Sequence, residues 1–159
     1  MIEKDYALSY ILAGMASHDA LAYALIFKGG TALKKLYFGD YRFSEDLDFS
    51  TIDGPQGDVL EQVILEAMQV TTYFMLEYGP FAIDLARYTG RDPHPGGQEA
   101  FTVHVQFPWH PRPLCRIKLE ITHDEPVMLP PVTRALIHGY DEPMVASITA
   151  YSLDEIVAE

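Results

Sequence analysis

The sequence predicts an α+β domain: a mixed β-sheet with helices packed mainly on one face. Three observations carry this. Residues 46–49, 101–107 and 116–122 alternate polar and apolar side chains, the pattern of half-buried strands. Residues 4–17 and about 55–73 place apolar residues at helical spacing instead. The length of 159 residues, with 48% hydrophobic and 21% charged content, suits one soluble domain with a sizeable core.

The elements follow in order. In the first helix Leu8, Ile11, Leu12 and Met15 form the apolar stripe, and Asp5 is placed to cap its start. His18-Asp19 reads as a turn, more a capping or surface pair than a catalytic one. The short apolar run 21–27 suits a helix end or a buried strand, and 24–27 is taken as a strand feeding the glycines that follow. Lys28-Gly29-Gly30-Thr31 then reads as a tight turn, with Thr31 as N-cap of a helix over 32–37. Gly29-Gly30 lets backbone approach a ligand with no Cβ in the way. Free N–H groups at such a helix start suit an anion such as a phosphate.

Gly39-Asp40 stops that helix, and Tyr41-Arg42-Phe43-Ser44-Glu45 leads into Asp46-Leu47-Asp48-Phe49. With a side-chain period of two, Asp46 and Asp48 share one face, roughly 6–7 Å apart along the strand. Two charged carboxylates in a partly dry site are costly unless a cation lies between them. Mg²⁺, or Mn²⁺ in its place, takes carboxylate and phosphate oxygens together. A phosphate cradle followed by a metal-holding pair is equipment for phosphoryl or nucleotidyl transfer. Arg42 can fork onto a triphosphate or pair with Asp40 or Glu45. Ser44 and Glu45 shape the loop or orient the metal ligands.

After the turn at Asp53-Gly54-Pro55 comes the second long helix. Val59, Leu60, Val63, Ile64, Ala67 and Met68 are its core stripe. Residues 82–87 suit helix or strand equally. Residues 89–97 form a Gly/Pro-rich loop. In the strand 101–107, Phe101, Val103, Val105 and Phe107 face the core, and His104 faces away. Trp109 in the next loop reads as a packing anchor before a base-stacking ring. In the strand 116–122, Ile117, Leu119 and Ile121 point inward; Lys118, Glu120 and Thr122 share the other face. If this strand neighbours the Asp pair, Glu120 is a third carboxylate, completing the metal site or deprotonating a hydroxyl. Lys118 would neutralise phosphate. The plainer reading is an exposed charge pair. Residues 144–152 read as a last strand, and Ser152-Leu153-Asp154-Glu155 is a capping box opening a helix.

K-G-G-T-A-L followed by R-F-S-E-D-L-D-F resembles the nucleotidyltransferase-like AbiEii/AbiGii toxin family, in the DNA polymerase β-type nucleotidyltransferase superfamily. Gly30-Thr31 stands where that superfamily has Gly-Ser, and the spacer to Asp46 is longer. The resemblance implies a nucleotidyltransferase-like fold and an NTP donor lying on Lys28, Gly29, Gly30 and Thr31, with Arg42 and Ser44 nearby. It implies metal held by Asp46, Asp48 and Glu120, and a Lys-x-acid pair met here by Lys118 and Glu120. It further implies a toxin of a toxin–antitoxin or abortive-infection system, with RNA (tRNA among the choices) or protein as acceptor and a cognate antitoxin as partner. Similar proteins continue beyond S-L-D-E-I-V-A-E into a helical region, so this sequence is expected to be a fragment or a short form.

Two rivals stand beside transfer: a non-catalytic nucleotide- or partner-binding remnant, and a phosphotransferase moving the γ-phosphate. The charge of −12, from 23 acids and 11 bases, argues against broad nucleic-acid binding. The single Cys115 excludes an intrachain disulfide and fits a reducing compartment, so a cytoplasmic, membrane-free location is expected. No histidine pair has metal-ligand spacing, which disfavours zinc.

Overall fold

A computed structural model describes residues 2–43, 45–88, 97–123 and 125–158. Among the described residues seven strands form one mixed sheet in the order β3-β4-β5-β2-β1-β7-β6. They are β1 (Leu25–Lys28), β2 (Asp46–Thr51), β3 (Ala82–Arg87), β4 (Gln98–Gln106), β5 (Cys115–His123), β6 (Val132–Ala135) and β7 (Ser147–Ala150). The β2/β5 and β1/β7 pairs are parallel and the rest antiparallel. Helices α1 (Ile2–Ala16) and α4 (Gly57–Met75) pack on each other and over one face. The described residues also form short helices α2 (Asp19–Ala22), α3 (Gly29–Ala32) and α5 (Leu153–Ala158). Among the described residues no helix is long and apolar enough to cross a membrane.

The alternation in the strands sorts the two faces. Leu47, Phe49, Phe101, Val103, Val105, Ile117, Leu119 and Ile121 are all buried under the helices, each contributing about 1.5–3 kcal/mol of burial. Phe27 packs on Phe49 with ring centroids 5.1 Å apart. The opposite face carries Lys28, Asp46, Asp48, Lys118, Glu120 and His104, intermediate or exposed. Residues 82–87, ambiguous in sequence, are strand β3 at the sheet edge. The last strand is shorter than expected, Ser147–Ala150. It is flanked by an unanticipated edge strand, β6.

Two expectations are corrected. Asp5 does not cap α1: it lies inside the helix, buried, and pairs with Lys35 Nζ at 2.9 Å. That ammonium also donates to Asp5 O at 3.0 Å and Ser9 Oγ at 2.8 Å, and Tyr140 Oη donates to Asp5 Oδ2 at 2.8 Å. Burial pushes the Lys35 pKa down, against the pull of Asp5. α1 is therefore buried nearly all round from Ala7 to Met15, not on one stripe. Second, Val59 is exposed: the buried face of α4 runs through Leu60, Ile64, Ala67, Met68 and Thr71, and Val59 lies off it. Trp109 is anchored as expected, against Phe107 and by its Nε1 donating to Glu3 at 2.7 Å, although its ring is largely exposed.

α1 and α4 meet at Gly14. A Cβ there would stand 1.9 Å from Thr71 Oγ1 and 2.8 Å from Ala67 O. Thr71 is itself fixed by donating to Ala67 O at 2.9 Å. Gly14→Ala is therefore expected to push the helices apart and cost about 1–3 kcal/mol, as overpacking does. A urea titration checks this; a midpoint unchanged from wild type would contradict the close approach.

Candidate active site

The Gly-Gly turn differs in detail from the expectation. The helical segment begins at Gly29, with Lys28 as its N-cap, three residues before the expected start. It continues as a π-helical stretch over Leu33–Tyr37. Thr31 is thus no N-cap. Its buried hydroxyl donates to Asp46 O at 2.5 Å, tying the turn to the first residue of β2. Gly29 adopts φ +85°, a left-handed conformation that glycine takes at little cost. A Cβ on Gly29 would stand 3.1 Å from Asp48 Oδ2, so glycine is what allows backbone and carboxylate to lie together.

Strand pairing delivers the charged groups. β2 lies between β1 and β5. In register, Asp48 sits between Lys28 on β1 and Glu120 on β5, and Asp46 faces Lys118. The register matches even-numbered positions with even, so Asp46, Asp48, Lys118 and Glu120 share the open face. Lys118 Nζ lies 2.5 Å from Glu120 Oε1, and Gln98 Nε2 donates to Glu120 Oε2 at 3.0 Å. The Lys118 ammonium also stands 6.0 Å from the Tyr88 ring.

The electrostatics separate the two central acids. Burial raises the Asp48 pKa to about 6, helped by the charge and hydrogen bond of Glu120 and by Asp46, with Lys28 opposing. Burial also works against Glu120, but Lys118, Asp48 and Gln98 more than offset it and hold its pKa below the usual carboxylate value. Lys118 in turn is held more basic than usual, chiefly by its hydrogen bond to Glu120. Asp48 and Glu120 thus crowd negative charge where a divalent cation would be accepted, which fits the donor chemistry of Mg²⁺ or Mn²⁺. As the side chains stand, no three acidic, cysteine or histidine groups among the described residues are arranged around a metal position. Glu120 is turned into Lys118 and Gln98 instead.

Of the residues expected at the site, Lys28, Gly29, Gly30, Thr31, Asp46, Asp48, Lys118 and Glu120 are brought together by β1, the turn, β2 and β5. Arg42 is not: it is exposed, with its guanidinium 5.7 Å from the Tyr41 ring. Ser44 lies outside the described residues, as does most of the loop 89–97. Glu45 pairs loosely with Lys4 at 3.8 Å. Residues that sequence reasoning missed are Gln98, Glu125, Ser50 and Tyr151. Glu125 ion-pairs with Lys28 and accepts from Ser50 Oγ at 2.6 Å. Ser50 had a signal, since it continues the face of Asp46 and Asp48; Glu125, on a connecting loop, had none.

The comparison with protein families points the same way. Residues 10–159 match the family model described as nucleotidyl transferase AbiEii toxin, type IV TA system. No curated protein matches the chain.

Proposed function

The chain belongs to the AbiEii nucleotidyl transferase toxin family, and from that premise we propose that it transfers a nucleoside monophosphate from an NTP to an RNA or protein hydroxyl. Family membership implies a cognate antitoxin. The observation that carries the proposal is the register pairing of Asp48 with Glu120 across parallel strands, beside Asp46 and against the Gly29 backbone.

In this reading Asp46, Asp48 and Glu120 hold Mg²⁺ or Mn²⁺. The ion supplies the positive charge that lets a polyanion approach three carboxylates. The chain's own groups do the rest. Gly29 and Gly30 leave room for the triphosphate against the backbone, and Thr31 fixes that turn to β2. Lys28 and Lys118 offset phosphate charge. The acceptor oxygen bonds to the α-phosphorus as the bond to the bridging α–β oxygen breaks, and pyrophosphate leaves. The hydroxyl proton passes to a carboxylate on the open face of β2 and β5.

Incubation with each NTP and Mg²⁺, followed by mass spectrometry of RNA and protein, tests this. The expected result is addition of one nucleoside monophosphate with release of pyrophosphate, absent from Asp46→Asn and Asp48→Asn. Addition of phosphate alone, with NDP release, would instead mark a phosphotransferase. Nucleotide binding without turnover would mark a binding module.

A further inference from the structure

Lys28 ends β1 directly before the Gly-Gly turn, and its register partner on β2 is Asp48. An ammonium there is drawn toward the carboxylates of Asp48 and Asp46 by simple Coulomb attraction. Its ion pair, however, is with Glu125, which arrives from the loop after β5. Glu125 is itself fixed. Ser50 Oγ, fully buried, donates to its Oε2 at 2.6 Å, and Ser50 Oγ shares a hydrogen bond with the buried Tyr151 hydroxyl at 2.8 Å. Tyr151 is held by its N–H donating to Phe27 O at 2.9 Å, and by Tyr37 Oη donating to its carbonyl at 2.8 Å. The loop that carries Glu125 is pinned further along, where Met128 N and Leu129 N donate to the buried Glu155 carboxylate at 2.6 and 3.0 Å.

We propose that Glu125 is a positioning residue: through Ser50 and Tyr151 it holds the Lys28 ammonium at the mouth of the Gly29–Gly30 turn, where Lys28 receives the β- and γ-phosphates of the donor and is kept from closing on Asp48. The proposal rests on the nucleotidyl-transfer reading of the site. Burial works against the Glu125 charge, but Lys28, Ser50 and Tyr151 hold its pKa below the usual value, so the anchor is ionised at neutral pH. The arrangement spans three adjacent strands. A carboxylate carried over from the β5 side reaches past β2 to β1, and buried hydroxyls fill the gap between.

The test is a double-mutant cycle on the full chain with Lys28→Met, Glu125→Gln and both together. Calorimetry measures binding of each NTP and of the matching NMP, with Mg²⁺. Acetylation of Lys28 by acetic anhydride is followed by peptide mass spectrometry, with Lys34 as internal reference. Glu125→Gln is expected to weaken NTP binding about tenfold, the scale of one charge-assisted hydrogen bond, and to leave NMP binding unchanged. Lys28→Met does the same, and the double variant is no weaker than Lys28→Met alone. Lys28 acetylation in Glu125→Gln is expected to rise several-fold over Lys34. Additive losses, or equal losses for NTP and NMP, overturn the positioning role. Unchanged acetylation overturns the hold itself, whether or not nucleotide binds. A wild-type chain that binds no NTP overturns the reading of the site and the phosphate role of Lys28 with it.

Discussion

Asp48→Asn is expected to abolish transfer while raising the thermal midpoint of the protein. A metal-bound carboxylate supports several kcal/mol of transition-state stabilisation, so the loss should be on the order of 10³-fold. The stability effect has the opposite sign. Asp48 has a folded-state pKa of about 6 against an ordinary 3.8, raised by burial and then by Glu120 and Asp46. The folded protein therefore resists ionising it. The contribution of protonated Asp48 to stability is full below pH 4, declines as pH rises through 6, and is lost above. Asparagine removes that cost, about 1 kcal/mol once the solvent that still reaches the group is allowed for, or roughly 2–4 °C in midpoint. Melting curves without metal at pH 7.5 should show the gain, and at pH 4 it should vanish. Added Mg²⁺ should stabilise wild type and leave the variant unmoved. A variant no more stable than wild type at pH 7.5 would remove the case for crowded carboxylates.

The second large effect lies away from the site. Lys35→Ala is expected to cost about 3–5 kcal/mol, because it leaves the buried Asp5 carboxylate without its cation. That corresponds to a drop of roughly 10 °C for a chain of this size. The paired change Lys35→Met with Asp5→Asn should recover much of the loss, since neither charge then needs a partner, and Tyr140 keeps an acceptor. Calorimetry on the single and paired variants decides it. A midpoint for Lys35→Ala within about 2 °C of wild type, or a paired variant as unstable as the single, would mean that the pair carries little of the fold.

What the residues disclosed in advance follows from how far each signal reaches. Period-two alternation marked 46–49, 101–107 and 116–122, because side chains there answer to one buried face, and the same alternation put Asp48 and Glu120 on a common open side. The parallel pairing that makes them neighbours involves strands some 70 positions apart, which alternation alone cannot encode; the family resemblance supplied it. β6 went unseen because Val132–Ala135 is mostly exposed and has no apolar rhythm. The Thr31 role was misjudged because a threonine after two glycines suits an N-cap locally, whereas its actual partner, Asp46 O, lies across the sheet. Asp5 was misjudged for a matching reason: a helix-start acid reads as a cap until a lysine from elsewhere is buried beside it. Glu155 illustrates the same limit. Ser152 caps α5 as its pattern suggested, with Glu155 N donating to Ser152 Oγ at 3.3 Å, but the Glu155 carboxylate reaches out to the loop at Met128 and Leu129.

The adjacency of β2 and β5 gives the molecule a modular tolerance. The chain leaves the site at Thr51, builds α4 and the β3–β4 hairpin, and returns at Cys115. The backbone ladder between the two strands sets the spacing of Asp48 and Glu120, and from the detour Gln98 reaches Glu120 at 3.0 Å. Lengthening a bend within the detour should therefore leave the reactive groups where they are. Slipping either strand by a single residue would turn every acid inward and every leucine out. The detour is thus the part of the chain where length can vary at least cost to the pairing of Asp48 with Glu120.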